Sequence, residues 1–154
     1  MENNKIKVCI ISSAGGHLTQ ALLLAQDLEK KYNLYYVTYG LPHIRKLLRD
    51  KKAYYIIDPH LSFSKYLINF LQSFKIFLNE LPDYVITTGS GISIPTCLIG
   101  KALRSRIIYI ETCSRVTSPS RTGRILYPFA DLFIVQWKPI LKVFPKAKYC
   151  GSLL

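Results

Sequence analysis

The strongest constraint on this chain's fold is a regular exchange between two periodicities. Short apolar, β-branched runs alternate with stretches whose apolar residues recur every three or four positions. Residues 5–11 form the first strand pattern. Leu18, Ala21, Leu22, Ala25 and Leu28 within residues 18–31 then have the spacing of one helix face. Further strand patterns lie at 34–39, 53–57, 83–87, 106–110 and 131–136, with helical ones at 42–52, 63–81 and 92–104. A final strand is expected shortly before Gly151. This alternation predicts the α/β class: a single Rossmann-like domain over residues 1–154, with a mainly parallel sheet and helices on both faces. Hydrophobic residues make up 49% of the chain and charged ones 19%, a balance that excludes a disordered polymer.

Parallel sheets of this kind hold ligands at the carboxyl ends of their strands. Three segments of unusual composition fall there, at residues 12–17, 89–95 and 111–124. In Ser12-Ser13-Ala14-Gly15-Gly16-His17, the glycines permit a tight turn and close backbone approach, and the unpaired amides at the following helix start favour an anion. The helix terminus contributes about 0.3–1 kcal/mol to such binding. Ser13, Gly15, Gly16 and His17 are therefore candidate phosphate contacts, and a turn that binds nothing is the plainer alternative. Gly89-Ser90-Gly91-Ile92-Ser93-Ile94-Pro95 repeats the strand–glycine–helix design. Ser90 and Ser93 are candidate donors to phosphate, and Ser93 would serve equally as a helix cap. Together the segments predict two glycine-rich walls around one phosphorylated ligand. The chain has no G-x-x-x-x-G-K-[ST] motif, and Tyr39-Gly40-Leu41-Pro42 stands where a dinucleotide site needs an acidic residue. A P-loop nucleotidase is unsupported and NAD binding is disfavoured.

Glu111 closes an apolar strand, where its carboxylate is expected to face the rim. It could orient a sugar hydroxyl, act as a base, or pair with Arg115, Arg121 or Arg124. His17 is the other candidate base, since imidazole titrates near neutrality, although a capping or packing role is open to it. The cysteines Cys9, Cys97, Cys113 and Cys150 form no CxxC pair and share no ligand spacing with the histidines, so no metal is expected and reduced thiols are the simplest account.

Twenty-one Lys and Arg against nine Asp and Glu leave a net charge of +12, which suits a polyanionic partner. Residues 63–81 are the clearest amphipathic pattern, with Phe63, Tyr66, Leu67, Phe70, Leu71, Phe74, Phe77, Leu78 and Leu81 at three-and-four spacing. A core helix is the ordinary interpretation of that stripe, yet Ile68 and Ile76 lie off it, so one face cannot bury every apolar group. Tyr66, Phe70, Phe74 and Phe77, flanked by Lys65 and Lys75, are the candidate membrane contact. Arg45, Lys46 and Arg49, with Lys51 and Lys52, would add about 1 kcal/mol each near anionic lipid. The apolar stretch is too interrupted to cross a bilayer, and the first residues lack a signal-peptide layout. A nucleic-acid partner is not expected, because the aromatic residues follow core or amphipathic spacing.

Three ordered runs carry a family resemblance: Pro82-Asp83-Tyr84-Val85-Ile86-Thr87-Thr88-Gly89-Ser90-Gly91, Ile110-Glu111-Thr112-Cys113-Ser114-Arg115, and Ala130-Asp131-Leu132-Phe133-Ile134-Val135-Gln136-Trp137. With the opening glycine loop, they resemble the asparagine-linked-glycosylation protein 14 family, whose bacterial relatives act in capsule and exopolysaccharide biosynthesis. The resemblance implies the N-terminal half of a GT-B glycosyltransferase such as MurG, completed by a separate C-terminal-half protein that holds the UDP-sugar. It implies a polyprenyl-diphosphate sugar acceptor and peripheral attachment at the cytoplasmic face of the membrane, since the anchor of eukaryotic members has no counterpart here. By the same resemblance Gly15, Gly16, His17, Gly89, Ser90 and Gly91 would contact the acceptor diphosphate. Arg115 joins Glu111 in the family's E-x-x-x-R stretch.

A second domain of a complete enzyme would need about 100–200 residues. The chain is accordingly expected to be the acceptor-binding, membrane-recruiting half of a two-component transferase, with no tightly bound cofactor. Tyr149, Leu153 and Leu154 are expected at the partner interface. The competing expectation is a non-catalytic scaffold that localises and activates a transferase already competent by itself.

Overall fold

A computed structural model describes residues 5–60 and 62–153. The chain runs β1 (Lys7–Ile11), α1 (Gly16–Leu28), β2 (Asn33–Thr38), α2 (Pro42–Leu47), β3 (Ala53–Tyr55), α3 (Phe63–Glu80), β4 (Tyr84–Thr87), α4 (Ser93–Ala102), β5 (Arg106–Ile110), α5 (Arg121–Leu126), β6 (Leu132–Val135), a short 3-10 helix (Lys138–Lys142) and β7 (Lys148–Tyr149). The strands form one sheet in the order β3-β2-β1-β4-β5-β6-β7, and every neighbouring pair is parallel. The expected α/β class and the layout of helices on both faces are borne out.

Period-two alternation sorts the strand side chains between two cores. Cys9, Val85 and Ile107 face Phe77 of α3, Cys97 and Ile99 of α4, and Leu126 of α5. Val8, Ile10 and Ile86 face the other way, toward Leu18, Ala21 and Ala25 of α1, Ile44 of α2 and Leu48 at its end. Each large apolar side chain buried this way contributes about 1.5–3 kcal/mol. The layers also determine where a ligand can sit. The chain moves outward from β1 to β3 and returns to β4 at the centre, so β1 and β4 flank the point where strand order reverses. In open parallel sheets the ligand crevice lies at that reversal, beyond the carboxyl ends of the strands. Both glycine turns emerge at this point.

The polar segment after β5 includes the short helix α5, which Ser120 caps by accepting from the Gly123 amide at 2.9 Å. One expectation, at α3, needs correction. Phe77 is 2% exposed and belongs to the core, which removes it from any membrane contact. Phe63, Leu67, Phe70, Leu71, Phe74, Leu78 and Leu81 are exposed instead, and the buried side of α3 is Asn69, Ser73, Phe77 and Glu80. Periodicity identifies an apolar face but not the direction in which it points. The polar side turns inward because each of its groups has a partner there, as buried polar groups require. Asn69 Nδ2 donates to Ile57 O at 2.8 Å, Ser73 Oγ to Asn69 Oδ1 at 3.3 Å, and Thr96 Oγ1 to Ser73 Oγ at 2.9 Å. Glu80 pairs with Lys52 at 2.7 Å and Lys7 at 3.3 Å and accepts from Tyr54. Burial opposes ionisation of Glu80, but its bonds from Lys52, Tyr54 and Lys7 outweigh that and hold its carboxyl below the ordinary value.

Candidate functional site

The turn after β1 is built around Gly15, whose φ of 80° lies in the left-handed region that favours glycine. No side chain caps α1, so the amides of Gly16, His17 and Leu18 at its start lack intrahelical acceptors. Space above the turn is open: a β-carbon at Gly15 or Gly16 would meet nothing within 4 Å. Ser13 is half-buried beside it. His17 is held by a reciprocal pair of bonds with the end of β4. Its Nδ1 lies 2.8 Å from Thr88 O, and Thr88 Oγ1 donates to His17 O at 2.9 Å. A carbonyl can only accept, so Nδ1 carries the hydrogen and Nε2 of the neutral ring keeps its lone pair. Two buried hydroxyls at the same rim, Ser12 Oγ and Thr38 Oγ1, have no partner among the described residues.

The turn after β4 differs. Gly89 (φ 101°) and Ser90 (φ 83°) are both left-handed, which costs Ser90 about 1–3 kcal/mol. A β-carbon at Gly89 would lie 2.9 Å from Tyr109 Oη and 3.5 Å from His17 Cε1, and one at Gly91 would lie 2.8 Å from Tyr66 Oη. This turn is packed beneath aromatic side chains. Ser93 is fully buried and its hydroxyl donates to Ser90 O at 2.7 Å. The expectation that Ser93 reaches a phosphate is therefore corrected, because its one proton braces the turn. Ser90 and Gly91 remain half-buried at the rim.

Glu111 also departs from expectation. It is 1% exposed, and its carboxylate accepts from Thr112 N (3.2 Å), Ser120 N (3.2 Å) and Ser120 Oγ (3.0 Å). None of the ion pairs among the described residues involves it. Rather than facing the rim or pairing with arginine, Glu111 closes the loop that leads to α5, where Gly123 leaves room for the carboxylate. Tyr109 extends this arrangement. Ser120 Oγ spends its hydrogen on Glu111, so Tyr109 Oη, 3.1 Å away, donates to Ser120. Burial pushes the Tyr109 phenol well above its ordinary value, which keeps it a donor. Arg115 stays exposed on the same loop, with its amide bonded to Thr112 O at 3.1 Å.

Sequence reasoning missed the two side chains that join these parts, Gln20 of α1 and Gln136 after β6, each 2% exposed. Gln20 Nε2 donates to Gly16 O and Thr112 Oγ1, both at 3.4 Å, and its Oε1 accepts from Cys113 N at 3.3 Å. Gln136 Nε2 donates to Gln20 Oε1 at 2.7 Å and Glu111 O at 3.0 Å, and its Oε1 accepts from Leu153 N at 2.8 Å and Ser152 Oγ at 3.4 Å. The only available signal was a polar residue ending an apolar strand. Trp137 Nε1 adds a bond to Cys113 O at 2.6 Å.

The remaining candidates fall outside this crevice. Tyr149 is exposed on edge strand β7, and Leu153 is half-buried. Leu154 lies outside the described residues. Arg45, Lys46 and Arg49 are exposed on or just after α2, with the Arg45 guanidinium 4.1 Å from the Tyr55 ring centre. Because α2 and α3 pack on opposite faces of the sheet, the basic and apolar candidates belong to different layers. Phe70 and Phe74 stack on the exposed side of α3 with ring centres 6.2 Å apart, and Tyr66 is half-buried over Gly91.

Residues 47–153 match the family described as oligosaccharide biosynthesis protein Alg14 like. The chain belongs to the Alg14 family. The human UDP-N-acetylglucosamine transferase subunit ALG14 is 24% identical over 182 residues, covering 97% of this chain and 83% of the human one. The Kluyveromyces lactis subunit of the same name is 52% identical over 50 residues, which are 32% of this chain and 21% of that protein. Among solved structures, Acinetobacter baumannii MurG superposes with a TM-score of 0.78 at 16% identity, over 96% of this chain and 45% of MurG. UDP-N-acetylglucosamine 2-epimerase from Rickettsia bellii gives 0.78 at 14%, over 97% of this chain and 46% of the epimerase. The chain thus spans less than half of either solved protein, and the likeness is one of fold: the expected half of a GT-B architecture. The Alg14 match includes the packed turn, Glu111 and Gln136 but starts beyond the open turn, which lies within the alignment covering 97% of this chain. No helix among the described residues is long and apolar enough to cross a membrane.

Proposed function

We propose that this Alg14-family chain is the acceptor-binding, membrane-recruiting subunit of a two-component glycosyltransferase. A separate protein holds the UDP-sugar, and the acceptor is a polyprenyl-diphosphate-linked sugar of capsular or exopolysaccharide biosynthesis. The observation that carries this proposal is the unobstructed, uncapped start of α1 at the strand-order reversal, with His17 Nε2 beside it. Bare amides and the helix dipole stabilise a diphosphate there. The imidazole lone pair supplies a base for the acceptor hydroxyl, and Arg115 contributes an exposed positive charge. The exposed apolar face of α3, edged by Lys65 and Lys75, lies against the cytoplasmic leaflet and delivers the lipid-borne acceptor.

The test is transfer from UDP-N-acetylglucosamine to a short-chain polyprenyl-diphosphate sugar, with this chain, the donor-holding protein, or both. Activity is expected only in the mixture. Turnover by this chain unaided would refute the split arrangement. Turnover by the donor-holding protein unaided would support the scaffold alternative, a role favoured by the engagement of Glu111 in structural bonds. Membrane recruitment is tested separately by flotation with anionic vesicles. Wild-type protein should float and Phe70→Ser/Phe74→Ser should lose about tenfold in partitioning. Equal flotation of the two would remove α3 from the proposal.

A further inference from the structure

The glutamine pair occupies a position that the sheet cannot serve. Strand β4 separates β1 from β5, so no ladder bond fixes the loop after β5 against the start of α1. Gln20 and Gln136 make that connection. Each amide uses both of its hydrogens and both acceptor directions, and the orientation of Gln136 is forced, because its Nε2 faces two groups that can only accept. From one end to the other, the Leu153 amide bonds Gln136, Gln136 bonds Gln20, and the Cys113 amide bonds Gln20. Buried and fully satisfied, such a network holds one arrangement and loses it as a unit.

We propose that Gln20 and Gln136 are positioning residues of the transfer reaction. They hold the loop that carries Arg115 in register with the open turn at Gly15 and Gly16, and they couple that register to the seating of the C-terminal segment at Leu153. The inference rests on the acceptor site proposed above, deepening it by naming what aligns its two sides. Neither glutamine touches the reacting atoms. Their effect is therefore on acceptor docking rather than on donor binding.

The experiment uses Gln136→Glu, which sets a carboxylate against two acceptors, and Gln136→Met, which keeps the length and removes the polarity. Gln20→Met repeats the test from α1. In the reconstituted two-protein enzyme, KM for the polyprenyl-diphosphate sugar is expected to rise about tenfold while KM for the UDP-sugar stays within about twofold. Unchanged KM values, or both substrates losing kcat/KM equally in proportion to lost folded protein, would overturn the proposal. Hydrogen exchange on the full chain alone gives a readout independent of transfer, so a failed acceptor site and a failed coupling are distinguishable. In Gln136→Met the Cys113 amide, which bonds Gln20 and not Gln136, should exchange about tenfold faster together with Leu153, while β1 and β4 stay protected. Faster exchange at Leu153 with Cys113 unchanged would show that the pair transmits nothing.

Discussion

The two glycine turns have nearly the same composition and the same place in a strand–turn–helix unit, yet they are opposites in structure. After β1, nothing lies within 4 Å of a β-carbon built on Gly15 or Gly16. After β4, Tyr109 and His17 crowd Gly89, and Tyr66 covers Gly91. One turn leaves its surface open, and the other uses its freedom for packing and for braces from Ser93 and Thr87. Glycine in a rim loop thus has two distinct uses, close approach by a ligand or close approach by the protein itself.

Breaking the open side should give the largest effects. His17→Ala removes the imidazole beside the open turn and is expected to lower kcat of the reconstituted enzyme about a thousandfold, measured at saturating acceptor. A loss below about threefold would move the base elsewhere and favour the scaffold alternative. Gly16→Glu comes next. A carboxylate at the first helical position suits the α1 dipole, so the melting temperature should hold or rise slightly, while it competes with the acceptor diphosphate and raises KM about a hundredfold. An unchanged KM would detach the diphosphate from this turn.

The packed side should respond in stability rather than in binding. Gly91→Ala drives a methyl toward the Tyr66 hydroxyl and is expected to cost about 1–3 kcal/mol in denaturant unfolding. Adding Tyr66→Phe, which deletes that hydroxyl, should recover most of the loss. If the single variant instead kept full stability and lost acceptor binding, the two turns would be functionally alike.

Much of the fold was legible because periodicity and turn chemistry are local. Alternation in residues 5–11 and three-and-four spacing in 18–31 located β1 and α1, and Gly15 with Gly16 marked the turn between them. Orientation and reach were not legible. The stripe through Phe63, Phe70 and Phe74 looked like a core face, yet it is exposed because Asn69, Ser73 and Glu80 are buried and find partners at Ile57, Thr96 and Lys52. Glu111 looked like a rim carboxylate, and its actual partner, Ser120, lies nine residues on and caps a helix that the polar segment did not announce.

By itself, then, the sequence determined the α/β class, the family, and the three strand ends that surround the crevice, since each depends on spacing within a few tens of residues. Only the tertiary structure decided which turn is open, which way α3 faces, and that Gln20 and Gln136, 116 positions apart, join at 2.7 Å. Those outcomes depend on what each side chain meets after the layers close. A buried polar group takes whichever face supplies its hydrogen-bond partners, and that supply comes from distant segments of the chain.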